Sequence, residues 1–327
     1  MPPSVFPHPR VIDLAEIGTL RAGLTPVAGP LRITHVVNPF PAVPGSEHDR
    51  AQAVTLAAMD RARRLAAVTD PDVTVRHVAV VLPGEAPEEP GRFDDVLTLG
   101  RSVLDLGSFA HPRPLPLHRD IVCAPDLPDD EILIYTNIDI APTDSFYGFV
   151  AQLFRDGFDA AIINRRDISD GWIGPEDLPL MVAEAGQPHQ GADCFAFRAG
   201  LRARFLPWDG CVGIGHGELP LVQNLMVFAD APCMLLDAHA TLHIGSAQSW
   251  FSPKFKDFLD YNHTEADRVF DHIHADPALW ARLTSALRLD RRAVGMRLGQ
   301  RAKVGLLPPP PPLWRRTVRR VRRLIGL

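Results

Sequence analysis

The sequence predicts an α/β chain: a single mixed, mostly parallel sheet flanked by helices, with a C-terminal helical extension. Three observations carry this. A strand, helix, strand unit occupies residues 31–82, the unit that builds parallel sheets. A long apolar run at 131–140 turns polar at its carboxyl end. The chain of 327 residues is 46% hydrophobic and 22% charged, which supports a globular core and excludes a disordered chain, a collagen-like repeat and a disulfide-stapled miniprotein.

The elements follow in order. LRITHVVN (31–38) is an apolar, β-branched run stopped by Asn38-Pro39, the pattern of a buried strand. Ser46 with an acid three residues on starts a helix that AQAVTLAAMDRARRLAAV carries to about Val68. VTVRHVAVVL (73–82) is the second strand, closed by Pro83-Gly84. Residues 83–130 are connecting structure with one amphipathic helix expected near Asp94–Leu106. EILIYTNIDI (131–140) is a strand, SFYGFVAQLFRDG a helix, and FDAAIIN (158–164) and GADCFAFRAG (191–200) are strands. ELPLVQNLMVFAD (218–230) reads as an amphipathic helix, CMLLDAHATLHIG (233–245) as strand, and 253–290 as helical.

The formal net charge of -5 is unevenly spread. Residues 304–327 hold six arginines and no acid, which leaves 28 bases against 39 acids, or -11, in residues 1–303. An acidic body lacks the phosphate-neutralising face of a nucleic-acid-binding protein, so no nucleic-acid partner is expected. Four cysteines without a Cys-x-x-Cys pair indicate neither a zinc finger nor a redox dithiol, and buried thiols are expected. The first residues lack the pattern of a signal peptide and no stretch reaches a membrane span, so the expectation is a cytoplasmic protein.

In an open α/β sheet the ligand site lies beyond the carboxyl ends of the strands, which singles out Thr136 to Asp139. Alternation along an extended strand would point Asn137 and Asp139 to one side, where their oxygens would meet a hard cation such as Mg²⁺ or Mn²⁺. The same residues would equally cap the following turn. In PWDGCVGIGHGELP (207–220), Trp208 offers a sugar-stacking face, while Asp209 and Glu218 are candidate bases. Glu218 also starts a helix, where the dipole favours an acid; Asp209 has no such structural explanation. Asp193, in apolar surroundings, must be paired or face a ligand. Arg165-Arg166, directly after a strand, would reach diphosphate oxygens or form a solvated pair.

ILIYTNIDI-AP-x-x-x-FY resembles the metal-binding strand of the GT-A-fold glycosyltransferases. THVVNPF with SEHDRAQAVTLAAM, GADCFAFRAG and ATLHIG resemble that fold's nucleotide-binding start, the strand after its donor site and the point where a metal-ligating histidine is supplied. The resemblance covers residues 31–250 and implies a GT-A-like (Rossmann-like) domain that transfers a sugar from a nucleotide-sugar donor. It implies Val37, Asn38, Thr136, Asn137, Asp139 and Arg165 as donor-binding residues. Asn137, Asp139 and His243 would hold Mn²⁺ or Mg²⁺, with His239 as a substitute for His243. Asp209, Glu218 and Asp193 are the catalytic candidates. This sequence departs from the DxD-type triplet at its first position, where Asn137 brings one formal charge fewer.

Around that domain the sequence divides into an N-terminal arm (1–30), C-terminal helices packed on the domain (251–303), a proline spacer (304–312) and a basic amphipathic helix (313–327). In LWRRTVRRVRRLIGL the apolar residues recur at helical spacing among the arginines, the signature of a helix on an anionic membrane surface. At about 1 kcal/mol per basic residue, this would hold the protein peripherally on the inner membrane face. The acceptor would then be a glycan or a lipid-linked, membrane-proximal sugar, with Trp250 beside Trp208 in the acceptor loops. Two other functions stay open: a catalytically degenerate GT-A-like subunit that only binds, and a sugar nucleotidyltransferase. Asn38-Pro39-Phe40 after the first strand disfavours the latter, which would carry a Gly-rich phosphate loop and a base there.

Overall fold

A computed structural model describes residues 22–189, 192–235, 238–245 and 252–286. Leu31–Val37 (β1) leads to helix Glu47–Thr69 (α1), whose N-cap Ser46 accepts the Asp49 N–H at 3.2 Å. Val73–Val81 (β2) returns parallel to β1 with Leu31 opposite Val73.

Where the sequence suggests an amphipathic helix at 94–106, the chain instead forms an edge strand, Asp95–Thr98 (β3), and then a 3₁₀ turn at Val103–Asp105. Val96 and Leu97 pair with the exposed flank of β2. Ser102 and Asp105 close the turn with reciprocal side-chain to backbone bonds. Sheet pairing here overrides a weak helical spacing.

Helix His118–Cys123 (α2) precedes the central strand Ile132–Thr136 (β4), which lies parallel to β1. The two-residue strand Ala141–Pro142 (β5) and helix Phe146–Arg155 (α3) follow, then Ala160–Ile163 (β6) and Arg166–Ile168 (β7). Helix Leu178–Ala183 (α4), strand Gln187–Pro188 (β8) and strand Cys194–Arg198 (β9) come next. Helix Leu219–Phe228 (α5), strands Pro232–Leu235 (β10) and Thr241–Ile244 (β11), and helices Lys256–Ala275 (α6) and Pro277–Ala286 (α7) complete the described chain.

The main sheet has seven strands in the order β10-β6-β9-β4-β1-β2-β3, parallel except for β9. Alternation along β4 sends Ile132 and Ile134 to the face covered by α1 and α3, and Leu133 and Tyr135 to the face covered by α5 to α7. Residues 220–227 of α5 are all buried. The expected amphipathic pattern is therefore absent, because α6 and α7 cover the side of α5 turned from the sheet. A second sheet, β5-β11-β7-β8, stands beside the first.

From β1 the chain builds outward through β2 and β3, then crosses to the other flank of β1 as β4. The order reverses between β1 and β4. A crevice at such a switch point, beyond the carboxyl ends of the strands, is where open α/β sheets bind ligands.

Candidate functional site

The carboxyl end of β4 stops at Thr136, and Ile138 and Asp139 lie in a turn. Simple strand alternation therefore does not place Asn137 beside Asp139. The Tyr135 hydroxyl points to Asn137 Oδ1 at 3.3 Å and to His118 Nδ1 at 2.9 Å.

Asp139 is instead joined to His243, whose Nε2 stands 3.4 Å from Asp139 Oδ2. The second sheet makes this pair: β11 runs antiparallel to β5, with Leu242 opposite Ala141, and parallel to β7, with His243 opposite Asp167. His243 Nδ1 lies 2.9 Å from the Gly245 carbonyl and 3.6 Å from Asp167 Oδ1. The Gly245 carbonyl keeps a proton on Nδ1, and the Asp139 carboxylate favours a second proton on Nε2, that is, the imidazolium. Burial alone would raise the Asp139 pKa, but the His243 hydrogen bond and charge, with Arg165, outweigh it and hold the carboxyl down at about 2. Burial disfavours the charged form of His243, yet Asp139 raises its pKa above the ordinary value. Asp139 Oδ1 is buried and has no hydrogen-bond partner.

Arg165, 8% exposed and within electrostatic reach of Asp139 and His243, is a buried counter-ion and not one of a solvated pair. It donates to Asp167 at 2.9 Å and to Asp193 at 3.1 Å. Asp193 is buried, and its Oδ2 has no hydrogen-bond partner. Glu218, half-buried at the N-terminus of α5, lies within electrostatic reach of Asp193, Arg165 and Tyr135. Burial pushes its carboxyl up to about 7; its own and the His216 backbone amides and Arg165 oppose this, while Asp193 adds to it. Tyr135 lies within electrostatic reach of both Asp139 and Glu218.

Other expected residues take different places. Val37 is fully buried with Met59, Ala79 and Ile138, so only its backbone would meet a ligand. Asn38 donates to the Val80 carbonyl at 2.6 Å, and Thr136 Oγ1 meets His35 Nε2 at 2.9 Å. Trp208 is 0% exposed within the main core, which corrects its reading as a sugar-stacking face. Asp209 does have a structural partner: it bonds Arg101 at 2.7 Å, and Arg101 also holds Asp120. His239 precedes β11 with φ 45°, against Arg166 and Glu184, and is not on the strand. Three cysteines are buried, while Cys123 is exposed. Trp250 and residues 287–327 lie outside the described residues.

The sequence reading overlooked Asp167, His118 and Tyr135. Asp167 carries one signal, its place just after a strand end; His118 joins the site through its tertiary hydrogen bond to Tyr135, whose hydroxyl reaches Asn137.

A bound divalent cation would find here one carboxylate with an orphaned oxygen and one imidazole whose far nitrogen is already hydrogen-bonded. Among the described residues no three His, Cys, Asp or Glu side chains gather to hold an ion alone. Two protein ligands nevertheless fit Mg²⁺ or Mn²⁺, which take the rest of their shell from water and substrate phosphates.

The fold and site together define an α/β protein in which a cation-compatible Asp139–His243 pair and the near-neutral Glu218 carboxyl both stand near Tyr135, on the central strand β4. No protein-family model matches the sequence, and no curated protein matches it. Among solved structures the chain is similar to Staphylococcus aureus TarS 1–349 in complex with UDP-GlcNAc, with a TM-score of 0.43 and 10% identity over 81% of this chain and 84% of that one. It is similar to another structure of TarS 1–349 at a TM-score of 0.40 and 12% identity, over 78% and 72%. It is also similar to the galactosyltransferase LgtC in complex with donor and acceptor sugar analogs, at 0.32 and 10%, over 72% and 96%.

Proposed function

We propose that the chain is a glycosyltransferase that moves a sugar from a nucleoside-diphosphate donor to a hydroxyl acceptor, assisted by Mn²⁺ or Mg²⁺. One observation carries the reading. Asp139, with an unpartnered buried oxygen, is paired with His243, and the buried Tyr135 lies within electrostatic reach of both Asp139 and Glu218, whose carboxyl is poised near neutrality. A cation when bound there supplies Lewis-acid neutralisation of the leaving diphosphate. Asp139 and His243 Nε2 would hold it.

The protein's own groups divide the remaining work. Arg165, kept in place by Asp167 and Asp193, holds positive charge at the carboxyl end of β6, beside the cleft. The free Asp193 Oδ2 accepts a sugar hydroxyl. Glu218, ionised above about pH 7, takes the proton of the acceptor hydroxyl as it attacks, since a base whose pKa lies near the working pH transfers protons best. Asp209, neutralised by Arg101, is not assigned this role. Asn137 completes the donor side, either through its amide oxygen on the cation or through its N–H groups on a phosphate.

We also propose that the domain of residues 31–250 is recruited through residues 313–327 to an anionic membrane surface, where a lipid-linked or nascent glycan acceptor would sit. Among the described residues no helix is long and apolar enough to cross a membrane. The second reading is a subunit that binds the nucleotide-sugar without turnover, favoured by Asn137 standing where the resembling motif has a charged ligand.

Calorimetry with nucleoside diphosphates and their sugars, with and without Mn²⁺, tests the function. Metal-dependent binding that Asp139→Ala abolishes, followed by sugar transfer or donor hydrolysis, is expected. Binding without any turnover selects the second reading, and no binding to any nucleotide refutes both.

A further inference from the structure

The loop that precedes Glu218, residues 209–217, is held by a helix remote in sequence. Asn262 of α6 is fully buried, and its side chain works at both polar ends. Its Oδ1 accepts the Cys211 N–H at 2.8 Å. Its Nδ2 donates to the carbonyls of Cys211 and Ile214, each at 3.1 Å, and lies 3.4 Å from that of Gly215. Three residues later Glu265 accepts the Asp209 N–H at 2.8 Å, which fixes the start of the loop. Between them His263 lays its ring against His216, with centroids 4.3 Å apart. His216 sits at φ 70°, a left-handed conformation that a non-glycine residue keeps only when its surroundings enforce it.

The fit is close at the end of the loop. A Cβ on Gly217 would run into the Cys211 carbonyl and stand 2.8 Å from Asn262 Nδ2 and 3.0 Å from His118 Nε2. The opposite side is closed too: His118 N–H donates to the Gly210 carbonyl at 3.0 Å, and Val212 N–H to that of Pro116 at 2.9 Å. Ordinary core packing of α6 against α5 would need none of these bonds to a loop.

We propose that Asn262, His263 and Glu265 form a clamp that positions Glu218 in the cleft, so that α6 belongs to the working site and is not mere packing around it. The assignment rests on the reading of Glu218 as the base. These three are positioning residues; none is placed to touch substrate. The charged and titratable groups facing Glu218 are Asp193, Arg165 and Tyr135. Those facing the loop include Arg101, Asp120, Tyr261, Glu265, Arg268, His263 and His118.

The test reads Glu218 in the protein alone. A full-length chain labelled with ¹³C at the glutamate carboxyls is titrated by NMR, with Glu218→Gln to assign the signal. The wild-type midpoint should lie near 7. In Asn262→Ala and in Glu265→Ala it should fall toward the ordinary value of about 4.5, as the loop opens and water reaches the carboxyl. Glu265→Gln, which keeps an acceptor for the Asp209 N–H, should titrate like the wild type.

A merely structural role lowers Tm without moving the midpoint, so an unmoved midpoint in folded Asn262→Ala overturns the proposal. Should that variant not fold, the Glu265→Ala and Glu265→Gln pair decides: equal midpoints in the two overturn it. A wild-type midpoint near 4.5 overturns it as well. Because no donor is used, a chain that passes this titration yet binds no nucleoside diphosphate refutes the transferase reading and leaves the clamp standing.

Discussion

His77 provides a quantitative test of how the sheet buries polar groups. It lies on β2, 2% exposed, with Nε2 3.0 Å from the Tyr147 hydroxyl, and His35 shares that hydroxyl from β1 at 2.8 Å. Burial, with repulsion from Arg63, drives the His77 pKa down to about 3. The native state therefore holds the ring neutral, while the unfolded chain protonates it near 6.5. The sign follows: stability from this group is complete above pH 6.5 and falls as pH drops, because the unfolded state then binds the extra proton. At pH 5 the loss is 1.5 pH units at about 1.4 kcal/mol each, or about 2 kcal/mol. That is a large fraction of the roughly 5–15 kcal/mol that holds a domain folded.

His77→Gln keeps a polar group near Tyr147 but removes the titration. Urea unfolding of wild type and variant at pH 7.5 and pH 5, compared as a double difference, reads this group together with its coupling to His35. Glu218 and His243, whose raised pKa values act with the opposite sign, cancel in it. The wild type should lose about 2 kcal/mol more than the variant on acidification. Equal losses would refute the reasoning, since they would mean that the imidazole is solvated in the native state.

Three further outcomes are expected. Glu218→Gln should lower kcat on the order of 10²–10⁴-fold, the usual contribution of a general base, leave nucleotide affinity unchanged and remove the acid limb near pH 7 from the kcat profile. Trp208→Ala should cost about 3–5 kcal/mol in chemical denaturation, because the side chain is core; an intact fold with only weakened acceptor binding would contradict this. Deleting residues 304–327 should abolish co-sedimentation with anionic liposomes, and full binding by the truncated chain would sink the membrane proposal.

The strands around the cleft were legible because their signals are local. Runs such as ILIYT and VTVRHVAVV are apolar and β-branched wherever they are placed, and Ser46 caps α1 through bonds within one turn. Residues 95–98 were not, since DVLT becomes a strand only when β2 offers an unpaired edge. Trp208 and α5 misled for a related reason: sequence shows that a residue is apolar, but not what covers it. Asp209 looked free because Arg101, its partner, lies far away along the chain.

The candidate site divides the same way. By itself the sequence determined a mostly parallel α/β sheet, a polar cluster at the end of its central strand, and a set of carboxylates and histidines of the right chemical types. Only the tertiary structure decided which of them meet. The register of β11 against β5 and β7 brings His243 to Asp139, and the fold leaves Glu218, next to the loop that α6 holds, within electrostatic reach of Asp193 and Arg165. Side-chain chemistry is set residue by residue, whereas the distance and burial that turn Glu218 from a surface acid into a group near neutrality arise from groups far apart along the chain.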